Sequence, residues 1–326
     1  MIEYKTYDNQ PDIEIINTAT IDLPSVYRVI SFRSARLATN LYQNIAELYH
    51  DKASISVSWI CNNIDESIIV NTLVSPAWED TQESINGNVQ IKKLSRILEP
   101  NVNINLFETI PYEWIKNRVL ILEAKEIIST LPIHFSLLFT AIFWDARRFY
   151  QFLNGPSSLK GHHNWEHGNF THTIEVATNA ILLAQDRPSV SRDLLVIAAL
   201  LHDAGKASEY KFNVQRSCFE ISTRGALIGH KMTIIEWISA AIAKYQIVVP
   251  TVEYVGLIHC LTAVKGCPEW IGLREPVSHE CMLLSMADRL SGQDDLMEQT
   301  LPTNPGFGKY HKHLKGRPFL IQDNHH

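Results

Sequence analysis

The chain has 326 residues, of which 45% are hydrophobic and 20% charged, enough for two domains with ordinary cores. Twenty-nine Lys and Arg against 35 Asp and Glu give a formal net charge of −6, which argues against a broad nucleic-acid-coating surface while allowing a local basic groove. The five cysteines, Cys61, Cys218, Cys260, Cys267 and Cys281, include no C-x-x-C pair. They read as reduced thiols of a cytoplasmic protein rather than a disulfide framework. No leader with a basic then apolar stretch is visible, and no run of about 18 apolar residues suggests a membrane span.

Residues 1–20 are a polar, acidic extension. Residues 21–105 read as β. Strands are expected at Val26–Ile30, Ile45–Tyr49, Ser54–Ile60, Ile68–Val74 and Val89–Leu94. Ser54 to Ile60 alternates polar and apolar, the period of a half-buried strand, and Asn86-Gly87 is a hairpin turn signal. Five short strands in about 80 residues imply a small β-barrel, with order and lengths resembling an OB-fold. Such a barrel offers single-stranded nucleic acid a groove lined by aromatic and basic side chains. Tyr27, Tyr42, Trp59 and Trp78 are the aromatic candidates, and Arg28, Arg33, Arg36 and Lys92 the basic ones. The competing reading puts the aromatics in the barrel core.

Residues 106–160 read as a helical linker region, with one helix starting at Pro111–Trp114 and another running from Pro132 through Phe152. Arg147 and Arg148 are expected as solvated charges or as phosphate contacts. The loop from Lys160 to Asn169 carries His162, His163, Glu166 and His167. An all-α domain is expected over 161–300. A basic tail, 301–326, holds Lys309, Lys312, Lys315 and Arg317 and is expected as a solvated terminus.

The densest chemistry lies at Leu200-Leu201-His202-Asp203-Ala204-Gly205-Lys206. A His-Asp pair closes a run of apolar helix formers, placing imidazole and carboxylate together at the end of a buried helix. That donor mix suits zinc, iron or manganese, and a buried carboxylate needs a cation. His172, His230, His259 and Asp288 lie in similar apolar settings. The steps from His172 to His202, His230, His259 and Asp288 are 30, 28, 29 and 29 residues. One helix and one connection take about that length, so each group can come from its own helix.

The order His…His-Asp…His…His…Asp resembles the HD superfamily of metal-dependent phosphohydrolases, over about residues 160–292. His162-His163 ahead of His172, and Glu269-Trp270-Ile271-Gly272 followed by Pro276, Glu280 and Asp288, are similar to bacterial 3′-to-5′ exoribonucleases of the YhaM type. The HD domains of TraI/MobH-type relaxase-like proteins share much of the pattern. The resemblance implies an OB-like barrel followed by an HD helical bundle, and two divalent cations. Manganese or iron is favoured over zinc or magnesium. Asp203 would bridge the ions, His172, His202 and Asp288 would complete one, and His230 and His259 would hold the other. Lys206, His162 and His163 would act on the phosphate, although a salt bridge to Glu209 is the alternative for Lys206. The activity implied is 3′-5′ hydrolysis of single-stranded RNA or DNA, and related proteins make a homo-oligomer reasonable. A relaxase-associated nuclease, a nucleotide phosphohydrolase and a non-catalytic nucleic-acid-binding module are the alternatives.

Overall fold

Ile55, Val57 and Trp59 alternate along one strand, and all three side chains are buried. They line one wall of a barrel. The computed structural model describes residues 23–63, 65–79, 84–85 and 87–322. The extension at 1–20 and Asn86 lie outside the described residues. The chain divides into two units, 1–98 with 108–111, and 99–107 with 112–326.

In the first unit, β1 (Tyr27–Ala38), β2 (Leu41–His50) and β3 (Ala53–Cys61) form an antiparallel meander. β3 then pairs in parallel with β6 (Asn88–Arg96) through Val57↔Val89 and Ser58↔Gln90. β6 pairs antiparallel with β4 (Leu73–Trp78), and β4 returns to β1 through Tyr27↔Val74. The five strands therefore close into an OB-like barrel that leaves no open sheet edge between them. β5 (Ser84–Ile85) is a short hairpin partner of β6, turning through Gly87 at φ +76°. Val29, Ala46, Leu48, Val57, Val74 and Leu94 fill the interior without exposure.

The strand expected at Ile68–Val74 is displaced. Asn71 has φ +71° and Thr72 N–H donates to Ile69 O, so this stretch is a turn and the strand starts at Leu73. Pro76 is inside it, beyond the two-residue pairing with β1, where a missing N–H is tolerated. Tyr27 and Trp59 belong to the barrel core, and Trp78 packs edge-on against Tyr27. Arg28 is also buried. Its guanidinium donates to Thr109 O, Thr109 Oγ1 and Asn71 O at 2.7–2.9 Å, and burial pushes its pKa down. It braces the barrel instead of meeting a phosphate. Arg33, Arg36 and Lys92 are exposed.

The second unit is helical. α1 (Arg118–Ser129) begins at an Asn117 cap whose side chain accepts from Leu120 N–H, later than the expected start at Pro111. The expected single helix from Pro132 is two, α2 (Ile133–Ile142) and α3 (Ala146–Asn154), because Asp145 caps a new start by accepting from Arg148 N–H at 2.9 Å. These helices pack against α4 (Gly168–Ala184), α5 (Arg192–Leu201) and α8 (Gly229–Tyr245) in the same unit. Residues 106–160, expected as a linker, mostly belong to this core, where Phe107 stacks on Phe170 at 5.7 Å. Arg148 donates to Ile142 O and lies 4.2 Å over Trp237, a packing role that uses up its charge.

α5 is the central helix. Leu194 to Leu201 are all buried, as expected of a helix apolar on every face. α6 (Lys206–Glu209), α9 (Thr251–Thr262) and α10 (His279–Thr300) complete the bundle. A hairpin of β7 (Tyr210–Asn213) and β8 (Cys218–Ile221), followed by α7 (Thr223–Leu227), interrupts the helices. Residues 301–322 of the tail take part in the fold as well. β9 (Gly306–Phe307) pairs with β10 (Phe319–Leu320), Leu320 is buried, and Lys309 N–H donates to Thr300 O at 3.0 Å. Arg317 lies over the Phe307 ring, so part of the basic tail is committed to packing. No helix among the described residues is long and apolar enough to cross a membrane.

Candidate metal centre

Four elements bring the site together. His172 and Glu175 stand three residues apart on α4, so both lie on the same helix face. His202 and Asp203 end α5. Asp288, Ser291 and Asp295 follow helical spacing along α10, and His230 is the second residue of α8. Gly205 lets α8 approach. A Cβ there would lie 2.2 Å from His230 O, so only glycine fits between the His-Asp turn and α8.

The imidazoles converge through their Nε2 atoms. His172 Nε2 is 3.1 Å from Asp288 Oδ1, 3.5 Å from Asp203 Oδ2 and 3.4 Å from His202 Nε2. His202 Nε2 is 3.5 Å from Asp203 Oδ2, and His230 Nε2 is 3.5 Å from Asp203 Oδ1. Their Nδ1 atoms point away. His202 Nδ1 lies 2.7 Å from Ala199 O, an acceptor only, so in the neutral ring that nitrogen carries the proton and Nε2 is bare. His230 Nδ1 lies 2.7 Å from Glu209 Oε2, which imposes the same tautomer. His172 Nδ1 is 2.9 Å from Ser291 Oγ, which donates to Glu175 Oε2 at 2.5 Å.

Bare nitrogen lone pairs facing carboxylate oxygens repel unless a cation joins them. Lys206 supplies one charge, with Nζ 2.5 Å from Asp203 Oδ2 and 3.2 Å from Ser157 Oγ. The Glu209 alternative for Lys206 is not what the structure adopts; Glu209 serves His230. Burial pushes the Asp203 carboxyl up, but Lys206 and the imidazoles outweigh it and hold it well below the usual carboxylate range. Asp288 is lowered in the same way: burial raises it, and His172 more than reverses this. Burial lowers His172, outweighing Asp288 and Asp203, which raise it. The donor set, imidazoles with carboxylates, fits a divalent transition metal.

Ligating atoms of His172, His202 and Asp203 lie within 4.8 Å of one another, and so do those of His162, His163 and His172. The His162 ring is 5.0 Å from that of His172, and its Nε2 is buried without a hydrogen-bond partner. Burial, with His172 and Lys206 nearby, pushes its pKa down to about 4. His163 Nε2 lies 3.0 Å from Glu175 Oε2, its backbone N–H donates to Asp295 Oδ2, and its Nδ1 is buried without a hydrogen-bond partner. His167 anchors the loop, Nδ1 lying 3.1 Å from Leu153 O. His259 Nε2 accepts from Val277 N–H at 3.3 Å, and, like His230 and Asp288, His259 is outside both groups of closely converging ligand atoms among the described residues. Its neighbour Cys260 is buried, 3.5 Å from Cys281 Sγ.

Residues 169–293 match the family model of the HD domain. The matched segment holds His172, the His202-Asp203 pair, His230, His259 and Asp288, while His162 and His163 precede it. The chain is similar to the 3′-5′ exoribonuclease YhaM of Bacillus subtilis, 29% identical over 151 residues, which is 46% of each protein. It is similar to the 3′-5′ exoribonuclease YhaM of Listeria monocytogenes, 31% identical over 156 residues, which is 48% of each. The aligned part therefore spans about half the length of the curated relatives. No solved structure matches the chain.

Glu175, Glu209, Ser291 and Gly205 did not emerge as site residues from the sequence. Glu175 had a legible signal, its three-residue offset from His172. The partnership of Glu209 with His230 spans 21 residues and two elements, and no local pattern announces it.

Proposed function

We propose that this chain is a metal-dependent phosphodiesterase that shortens single-stranded RNA or DNA from the 3′ end. The observation that carries the reading is the set of Nε2 atoms of His172, His202 and His230 facing Asp203 and Asp288 within an HD domain. The polarity and the exonucleolytic mode are drawn from the YhaM relatives, and the OB-like barrel supports a single-stranded polymer as substrate.

His172, His202, Asp203 and Asp288 hold a divalent cation in this reading, with manganese or iron suited to the mixed donors. A bound cation would acidify water and neutralise charge on the phosphoryl oxygens. Asp203 Oδ1 with His230 begins a second position, which His259 would complete by giving up its hydrogen bond from Val277 N–H. Asp203 faces the ligands around it, Lys206 offers its ammonium to a phosphate oxygen, and His162 presents its Nε2 to the same cleft.

The test is incubation of the manganese-loaded full chain with 3′- and 5′-labelled single strands, duplexes and free nucleotides. Stepwise shortening from the 3′ end is expected. A single internal cut points to a nickase, cleavage of free nucleotides alone to a nucleotide hydrolase, and tight binding without cleavage to a binding module.

A further inference from the structure

Behind His172 runs a chain of polar groups that joins α4, α10 and the loop before α4. His172 Nδ1 meets Ser291 Oγ at 2.9 Å, Ser291 Oγ donates to Glu175 Oε2 at 2.5 Å, and His163 Nε2 meets the same Oε2 at 3.0 Å. The direction of each bond follows from what the groups can do. An ionised carboxylate only accepts, so Ser291 spends its single hydrogen on Glu175. Ser291 Oγ then has only lone pairs for His172, and Nδ1 must be the nitrogen that carries the proton. The Nε2 lone pair is thereby aimed at Asp288 and Asp203.

We propose that Ser291 and Glu175 are the positioning residues that fix the tautomer and ring orientation of His172, and that His163 anchors Glu175. The inference rests on the reading of His172 as a metal ligand, and it gives His163 a different place from His162. Burial pushes the Glu175 carboxyl up, while hydrogen bonds from His163 and Ser291 outweigh this and hold it below the usual range. Ser291 is 2% exposed and His163 1%, so neither trades its partner for water. Glu175 is 43% exposed and opens on a cavity of about 590 Å³ that it lines with Ser291, His163 and Asp295. Its replacement therefore leaves the bundle core untouched. Outer partners of this kind orient metal-bound histidines and typically change metal affinity about 10- to 100-fold when removed.

Two measurements on the full chain decide it. In the metal-free protein, nitrogen-15 NMR of the His172 ring is expected to show a protonated Nδ1 and a bare Nε2. Ser291→Ala is expected to mix the tautomers and weaken Mn²⁺ binding about 10- to 100-fold by calorimetry, with an unchanged far-ultraviolet dichroism spectrum. Glu175→Ala should weaken it in the same range, and Ser291→Thr, which keeps the hydroxyl, should restore both readouts. A proton on Nε2 in the unsubstituted protein overturns the relay, as does wild-type Mn²⁺ affinity in both alanine variants. A wild type that shows the expected tautomer yet binds no Mn²⁺ refutes the metal reading and leaves the hydrogen-bond relay standing.

Discussion

Lys206 Nζ sits 2.5 Å from Asp203 Oδ2, the oxygen that also faces His172 and His202 at 3.5 Å. One carboxylate oxygen thus meets an ammonium and two imidazoles. If Lys206 serves the phosphate and not the metal, Lys206→Met lowers cleavage about 100-fold and leaves Mn²⁺ affinity no weaker. Steady-state cleavage beside calorimetry checks this; loss of Mn²⁺ binding in step with activity would count against it.

Asp203 is the hub of the site. Asp203→Ala removes the charged acceptor of Lys206 and the group facing three imidazoles, and leaves a largely buried ammonium with only Ser157 Oγ as partner. Metal content should drop to background, cleavage with it, and the metal-free protein should lose about 3 kcal/mol of stability. Elemental analysis and urea unfolding report the two effects separately.

His259 Nε2 accepts from Val277 N–H. His259→Ala is expected to keep the wild-type number of bound ions, whereas His172→Ala loses the metal. Elemental analysis giving one ion fewer in the His259 variant would restore a two-metal site built from His230 and His259.

Acid acts on the metal-free protein through two sets of groups. His162 has its pKa lowered from 6.5 to about 4, so between those values the unfolded chain binds a proton that the folded one refuses, and stability rises with pH. Glu175, Asp203, Glu209 and Asp288 are held below their ordinary values, so their contribution is present above the ordinary carboxylate range and lost as pH falls through it. Both effects have the same sign. Thermal unfolding without metal should weaken steadily from pH 6.5 downward, and His162→Gln should flatten the upper part of that decline.

Gly205 is required for space; its φ of −62° is open to any residue. Gly205→Ala drives a Cβ into His230 O and must push α8 away from the His-Asp turn. A loss of about 1–3 kcal/mol is expected, together with weaker Mn²⁺ binding. Unchanged Mn²⁺ affinity in a stably folded variant would mean that α8 need not stand so close.

The sequence by itself determined the two-part architecture, the buried helix ending in His202-Asp203 and the residues His172, His230 and Asp288 that meet it. These are periodic or regularly spaced features, and a helix or strand imposes its period on the residues that compose it. The barrel strands were legible for the same reason, except where Asn71 turned the chain and shifted the fourth strand. Only the tertiary structure decided that His259 accepts from Val277 N–H, that Arg28 is internal, that Arg317 of the basic tail packs on Phe307, and that Ser291, Glu175 and Glu209 stand behind the histidines. Those partnerships join groups up to 119 residues apart. They depend on how closely helices approach and which ring nitrogen finds an acceptor, and neither quantity is written in the spacing of residues along a chain.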